Sequence, residues 1–176
     1  MDGHSKQRGV SLIEVLVAVF VFSVGLVGMA GLMVMAARSS QSAYLRTQVA
    51  FLANNMAERM RANPIGVWSG SYNGNGYPIN GSAMACDAVK PCGPVDVASR
   101  DKLLWSQLLG SQLPGASATI QCKGMSEVGF NPVSRLGRRP PYGGSCAMSV
   151  TWVERGAGDR EHASAAKQVF TWAFQP

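Results

Sequence analysis

The stretch that decides the fold is Gly9-Val10-Ser11-Leu12-Ile13-Glu14-Val15, which opens onto an apolar run reaching Ala37. From Val15 to Ala37 there is no charged residue. As a helix, these 23 residues would span about 34 Å, close to the hydrocarbon thickness of a bilayer. The polar leader before the run, MDGHSKQRG, carries Lys6 and Arg8. Basic residues on that side hold it in the cytoplasm, which sends the rest of the chain to the periplasm or beyond. Glu14 is the anomaly. A carboxylate at the mouth of a lipid-buried helix costs about 2.5–3.5 kcal/mol on insertion scales and calls for a partner. At headgroup level, solvent alone can supply one. If the chain is cut after Gly9, however, a new amine appears at Val10. In a bundle of such helices, Glu14 of one copy can then neutralise the Val10 amine of the next, where an unpaired charge is expensive.

The rest of the 176 residues fit one modest domain. The chain is 47% hydrophobic and only 15% charged, with a net charge of +6 from 16 basic and 10 acidic residues. That excess of basic groups serves solubility as readily as it serves an anionic partner. Beyond Ala37 the helical pattern continues: Leu45, Val49, Leu52, Met56 and Met60 recur at spacings of three and four until Pro64. One helix of about 50 residues is expected, apolar all round in its first half and amphipathic in its second. Residues 64–96 are rich in Gly, Asn, Ser and Pro and read as a loop with turns. Residues 97–113 read as a helix with a stripe of Leu104, Trp105, Leu108, Leu109 and Leu113, stopped by Pro114-Gly115.

Three strands are expected at 117–122, 146–154 and 168–174, with a Gly/Pro loop at 123–145 between the first two. Period-two phasing puts Ile120 and Cys122 on one face, as it does Cys146, Met148, Val150 and Trp152, then Phe170, Trp172 and Phe174. Trp105, Trp152, Trp172 and Phe174 read as core anchors. The expected class is α+β, a long N-terminal helix packed on a small antiparallel sheet with one further helix. No internal repeat is visible.

Four cysteines beyond a membrane signal suggest two disulfides in an oxidising compartment. They allow three pairings. Cys122 closes one strand and Cys146 opens the next, so an antiparallel pair brings them together. That favours 122–146, with Cys86 and Cys92 closing a local loop.

An ordinary secretory signal, cut after Val34-Met35-Ala36, is the competing reading of the N-terminus; its apolar region should be shorter and lack the glutamate. Enzymatic readings find little to stand on. The two histidines are His4, in the leader, and His162, and there is no CxxC, HExxH, GxSxG or P-loop. Cys86 and Cys92 lack two further zinc ligands at suitable spacing, so neither a metal nor another cofactor is expected.

The signal stretch, Gly9 through Val15 followed by an apolar helix, resembles the class III signal of type IV pilins and pseudopilins. The resemblance implies cleavage between Gly9 and Val10 by a prepilin peptidase, N-methylation of Val10, and an assembly role for Glu14; Val10 stands where the family most often has Phe. Gly25, Gly28 and Gly31 suit either close helix packing or a stretch able to unwind on leaving the bilayer. The helix end Met56-Ala57-Glu58-Arg59-Met60-Arg61-Ala62-Asn63-Pro64 is similar to that of V-type (PilV-like) minor pilins. So are the Cys86/Cys92 pair, the segment from Asp101 to Gly115 and the strand Ser149-Val150-Thr151-Trp152.

The resemblance thus implies a leader at 1–9, a transmembrane and filament-core helix at 10–37 and a periplasmic head at 38–176. It also implies a tip or priming complex with other minor pilins and the major pilin, an inner-membrane assembly platform and a large tip adhesin, supporting twitching motility and adhesion. A type II secretion pseudopilin shares the N-terminal signal. A DNA-binding minor pilin is a further alternative, with Arg135, Arg138, Arg139 and Tyr142 as phosphate and base contacts; a solvated basic loop accounts for the same residues, and nucleic acid is not expected.

Overall fold

The computed structural model describes residues 11–83, 85–86, 89, 91–123, 137, 143–154 and 166–176. Helix α1 runs unbroken from Leu12 to Ala62, 51 residues, as the sequence pattern predicts. Asn63 ends it, and Pro64, with no N–H to continue the ladder, starts a new short helix instead. This is α2, Pro64–Trp68. The Asn63 Oδ1 accepts from Gly66 N–H at 3.2 Å and so caps it. Gly66 is required here, because a Cβ would lie 2.3 Å from the Asn63 amide nitrogen. Strand β1, Gly74–Tyr77, follows. Neither α2 nor β1 was expected from the sequence, where 64–96 reads as loop; both are short and are held by partners remote in the chain.

Helix α3 spans Pro94–Gln112 and begins three residues before the apolar stripe suggests. Pro94 sits in the first turn, and Asp96 reaches back to accept from the Gly93 N–H at 3.3 Å. Gly93 has no side chain to reciprocate. The stripe itself faces inward, with Trp105, Leu109 and Leu113 buried and Leu104 and Leu108 half-buried. After α3 the turn at Gly115 takes φ +59°, where a Cβ would also press on Val153 at 2.9 Å. Pro114 then accepts from the Val153 N–H at 2.9 Å.

Strands β2 (Ser117–Lys123), β3 (Ser145–Glu154) and β4 (Ala166–Phe174) complete a four-stranded antiparallel sheet in the order β1-β2-β3-β4. The alternation of β2 and β3 turns Ala118, Ile120, Cys122, Cys146, Met148, Val150 and Trp152 inward. On β4, Phe174 is buried and Phe170 and Trp172 only partly so, since among the described residues no strand lies beyond it. Trp172 packs against the core while partly buried, and it stacks on Phe174 with ring centroids 4.7 Å apart.

The amphipathic half of α1 lies on this inner face, burying Leu45, Val49, Leu52, Ala53, Met56, Ala57 and Met60. Each large apolar side chain so buried stabilises the head by about 1.5–3 kcal/mol. The Trp105 indole donates to the Leu52 carbonyl at 2.9 Å, which pins α3 to α1. Cys122 and Cys146 stand directly opposite each other in the β2–β3 register and are joined, and Cys86 is joined to Cys92. The fold is the expected α+β arrangement, with two disulfides and one strand more than the three read from the sequence.

Candidate functional site: the free half of the long helix

The sequence pattern gives α1 two halves, and the structure gives them opposite surroundings. Between Leu12 and Met35 every large apolar side chain is 51–79% exposed, whereas the stripe from Leu45 onward is closed over by the head. The mean hydropathy of the best 18-residue window is 2.5, and none of that window is buried within the chain. A helix this long and apolar can cross a membrane, and water is the one common solvent in which this surface is costly. The backbone of such a segment must satisfy its polar groups internally, and a continuous helix does so. Its one hydroxyl at mid-span, Ser23, donates to the Val19 carbonyl at 2.7 Å and carries no unmet donor into an apolar medium. Neither Ser23 nor that bond was singled out from the sequence, although a serine four residues after a carbonyl in an apolar helix is a readable signal.

Glu14 occupies the first turn of α1, where its backbone N–H donates to the Ser11 carbonyl at 3.0 Å. Ser11 precedes the helix without a side-chain cap. A carboxylate at this position faces the positive end of the helix dipole. Its side chain is exposed, available to a group from outside the chain. Gly9 and Val10, the expected cut site and methylated residue, lie outside the described residues, as do the leader, Arg135, Arg138, Arg139 and Tyr142. Around Gly25, Gly28 and Gly31 an added Cβ would meet nothing within 4 Å, so no packing among the described residues explains these glycines.

Where α1 ends, the polar groups of the head are spent on one another: Arg59 Nη1 donates to Asp101 Oδ1 at 2.9 Å, and the Tyr72 hydroxyl donates to Asp101 Oδ2 at 2.8 Å. Asn63 Nδ2 donates to the Tyr72 hydroxyl at 3.1 Å and to the Pro94 carbonyl at 2.7 Å. This seam ties the end of α1 to the start of α3 and to the segment before β1. All four cysteines are oxidised in pairs, so none is a thiolate nucleophile or metal ligand. Among the described residues no three His, Cys, Asp or Glu side chains converge on a possible metal position.

A family model described as the prokaryotic N-terminal methylation motif matches residues 4–30. No curated protein and no solved structure matches the chain. The matched segment contains Gly9, Val10, Glu14 and most of the exposed apolar helix. Over those residues the chain is similar to prepilin-like proteins, and the exposed apolar helix that follows fits a membrane anchor.

Proposed function

We propose that the chain is a minor pilin of the type IV pilus, of the V type, acting in the complex that primes assembly at the filament tip. The observation that carries this reading is the division of α1: an exposed apolar half behind the methylation motif, then a half built into a disulfide-bonded head. One surface can serve twice, facing lipid in the membrane pool and facing like helices in a filament core. In this reading a prepilin peptidase cuts between Gly9 and Val10, and Val10 is N-methylated. The leader stays in the cytoplasm, the helix 10–37 in the inner membrane and the head 38–176 in the periplasm. Glu14 then pairs with the Val10 amine of a neighbour as subunits leave the bilayer. The helix end from Met56 to Pro64 and the Cys86/Cys92 pair support the V type over other pilins. The partners are other minor pilins, the major pilin, the assembly platform and a large tip adhesin, and the output is twitching motility and adhesion.

N-terminal sequencing of the mature protein is expected to begin at methylated Val10; a start at Ala37 would sink the prepilin reading. Deletion of the gene is expected to abolish surface pili and twitching while secretion of folded enzymes continues. Loss of that secretion with pili intact identifies a secretion pseudopilin instead. Glu14→Ala is expected to leave membrane insertion intact and to exclude the subunit from sheared pili; normal incorporation removes the proposed charge pair.

A further inference from the structure

Glu154 breaks the pattern of β3. The strand's inward positions are Cys146, Met148, Val150 and Trp152, and the next in phase is a carboxylate, only 7% exposed. Its Oε2 accepts from the Trp152 indole at 3.2 Å. One neutral donor compensates poorly for taking a carboxylate out of water. Among the described residues the ion pairs are Arg59–Asp101 and Arg61–Glu58, so Glu154 has no cation there. It lines a cleft of about 430 Å³ between α1 and β3, together with Arg38, Gln41, Ser42, Leu45 and Val153. That volume falls within the ~300–1,000 Å³ of small-ligand sites. Arg38 and Glu154 thus line one cleft, with opposite charges and no ion pair between them.

The position of the cleft along α1 identifies what reaches it. Arg38 is the first charged residue after the uncharged run from Val15 to Ala37. With that run in the hydrocarbon core, Arg38 stands at the level of the lipid phosphates, and Gln41, Ser42 and Leu45 follow on the next turns. A ligand at that depth that satisfies both charges carries an anionic group for a guanidinium and, a few atoms away, a cationic donor for a carboxylate. We propose that the cleft binds the phosphoethanolamine headgroup of a bilayer phospholipid. Arg38 takes the phosphate, for which a guanidinium is the best-matched side chain. Glu154 takes the primary ammonium, and Ser42 and Gln41 hydrogen-bond the phosphate oxygens. Leu45 and Val153 cover the ethylene carbons. The site selects ethanolamine over choline because a trimethylammonium has no N–H to donate, and over glycerol because glycerol brings no positive charge to the buried carboxylate. A subunit in the membrane pool carries this lipid at the base of its head.

The inference rests on α1 spanning the bilayer, and the experiment separates the two. The full-length chain is reconstituted into nanodiscs holding equal amounts of phosphatidylethanolamine, phosphatidylglycerol and phosphatidylcholine, and retained lipid is identified by native mass spectrometry. Retention of phosphatidylethanolamine about tenfold above either other lipid is expected. Arg38→Gln lowers retention of every phospholipid. Glu154→Gln, which keeps an acceptor for the Trp152 indole, abolishes the preference for ethanolamine while phosphatidylglycerol is still held; near-UV circular dichroism verifies that its head is folded. Equal retention of ethanolamine and choline lipids by the unmodified chain, or unchanged selectivity in folded Glu154→Gln, overturns the site. Lipid retention untouched by either substitution, with filament entry lost in both, reassigns the cleft to a neighbouring subunit's basic side chain and overturns it equally. Full displacement of the lipid by an equal concentration of soluble phosphorylethanolamine overturns the lipid in favour of the free headgroup. Failure to enter nanodiscs at all overturns the membrane-spanning reading, and the site with it.

Discussion

Tyr72 is a fully buried side chain whose hydroxyl sits between two polar partners, donating to Asp101 and accepting from Asn63. Burial holds its phenol well above the usual tyrosine range, and the bond to Asp101 pushes it further in the same direction. Burial alone does the same to Tyr77, whose hydroxyl donates to the Tyr72 carbonyl at 2.8 Å. In the unfolded chain both phenols lose their protons near pH 10, while in the folded head they keep them. Above that pH the native state binds more protons than the unfolded state, so stability falls as pH rises. The head is therefore expected to lose stability steadily above about pH 10, read as a falling urea midpoint. Tyr72→Phe should cost about 1–3 kcal/mol at neutral pH, because Asp101 and Asn63 lose a buried partner. It should also make the alkaline decline shallower, since one of the two ionisations is gone; an unchanged slope would place the alkaline sensitivity elsewhere. None of this was legible in the sequence. Asn63, Tyr72 and Asp101 meet only because α1, α2 and α3 fold onto one another, and no local pattern marks three such distant residues.

At the level of elements, legibility follows how much an element owes to its own residues. The length and stopping point of α1 were readable because a 3.6-residue period and a proline act locally. Strand β1 was not readable. Gly74-Asn75-Gly76-Tyr77 has little intrinsic strand preference and exists through its pairing with β2, Gly74 against Ile120 and Tyr77 against Ala118. The early start of α3 was readable in principle, since Gly93-Pro94 and Asp96 form a start signal that the apolar stripe alone does not reveal. The same division sets a prediction on α1. Leu52 is fully enclosed, whereas its neighbour Phe51, turned about 100° away around the helix, is 59% exposed. Leu52→Ala is expected to destabilise the head by about 2–5 kcal/mol, and Phe51→Ala by no more than about 0.5 kcal/mol, both by urea denaturation. A large loss from Phe51→Ala would mean that α1 is seated in a different rotation against the sheet.

For the whole molecule, the question is what keeps a small head intact when half of its longest helix lies outside it. Much of the bulk of α1 lies outside the head, so the head's own apolar burial rests on half of one helix, one further helix and one face of a sheet. Small domains with so limited a core lean on covalent closure. The two disulfides are not equivalent. Cys122–Cys146 spans 24 residues and joins facing positions near the end of the β2–β3 pairing, with Cys146 1% exposed; Cys86–Cys92 spans six residues and is half-buried. By loop-closure entropy the longer is worth about 3.5 kcal/mol and the shorter about 2 kcal/mol. The burial difference acts in the same direction, because removing the first also leaves polar groups in a closed core. The double substitution Cys122→Ser/Cys146→Ser is therefore expected to lower the thermal midpoint more than Cys86→Ser/Cys92→Ser, and mild reductant should open 86–92 first, seen by mass shift after alkylation. The reverse order of midpoints would show that the local loop, which ends two residues before α3 begins, stabilises the head by fixing the start of that helix and not by shortening the unfolded chain.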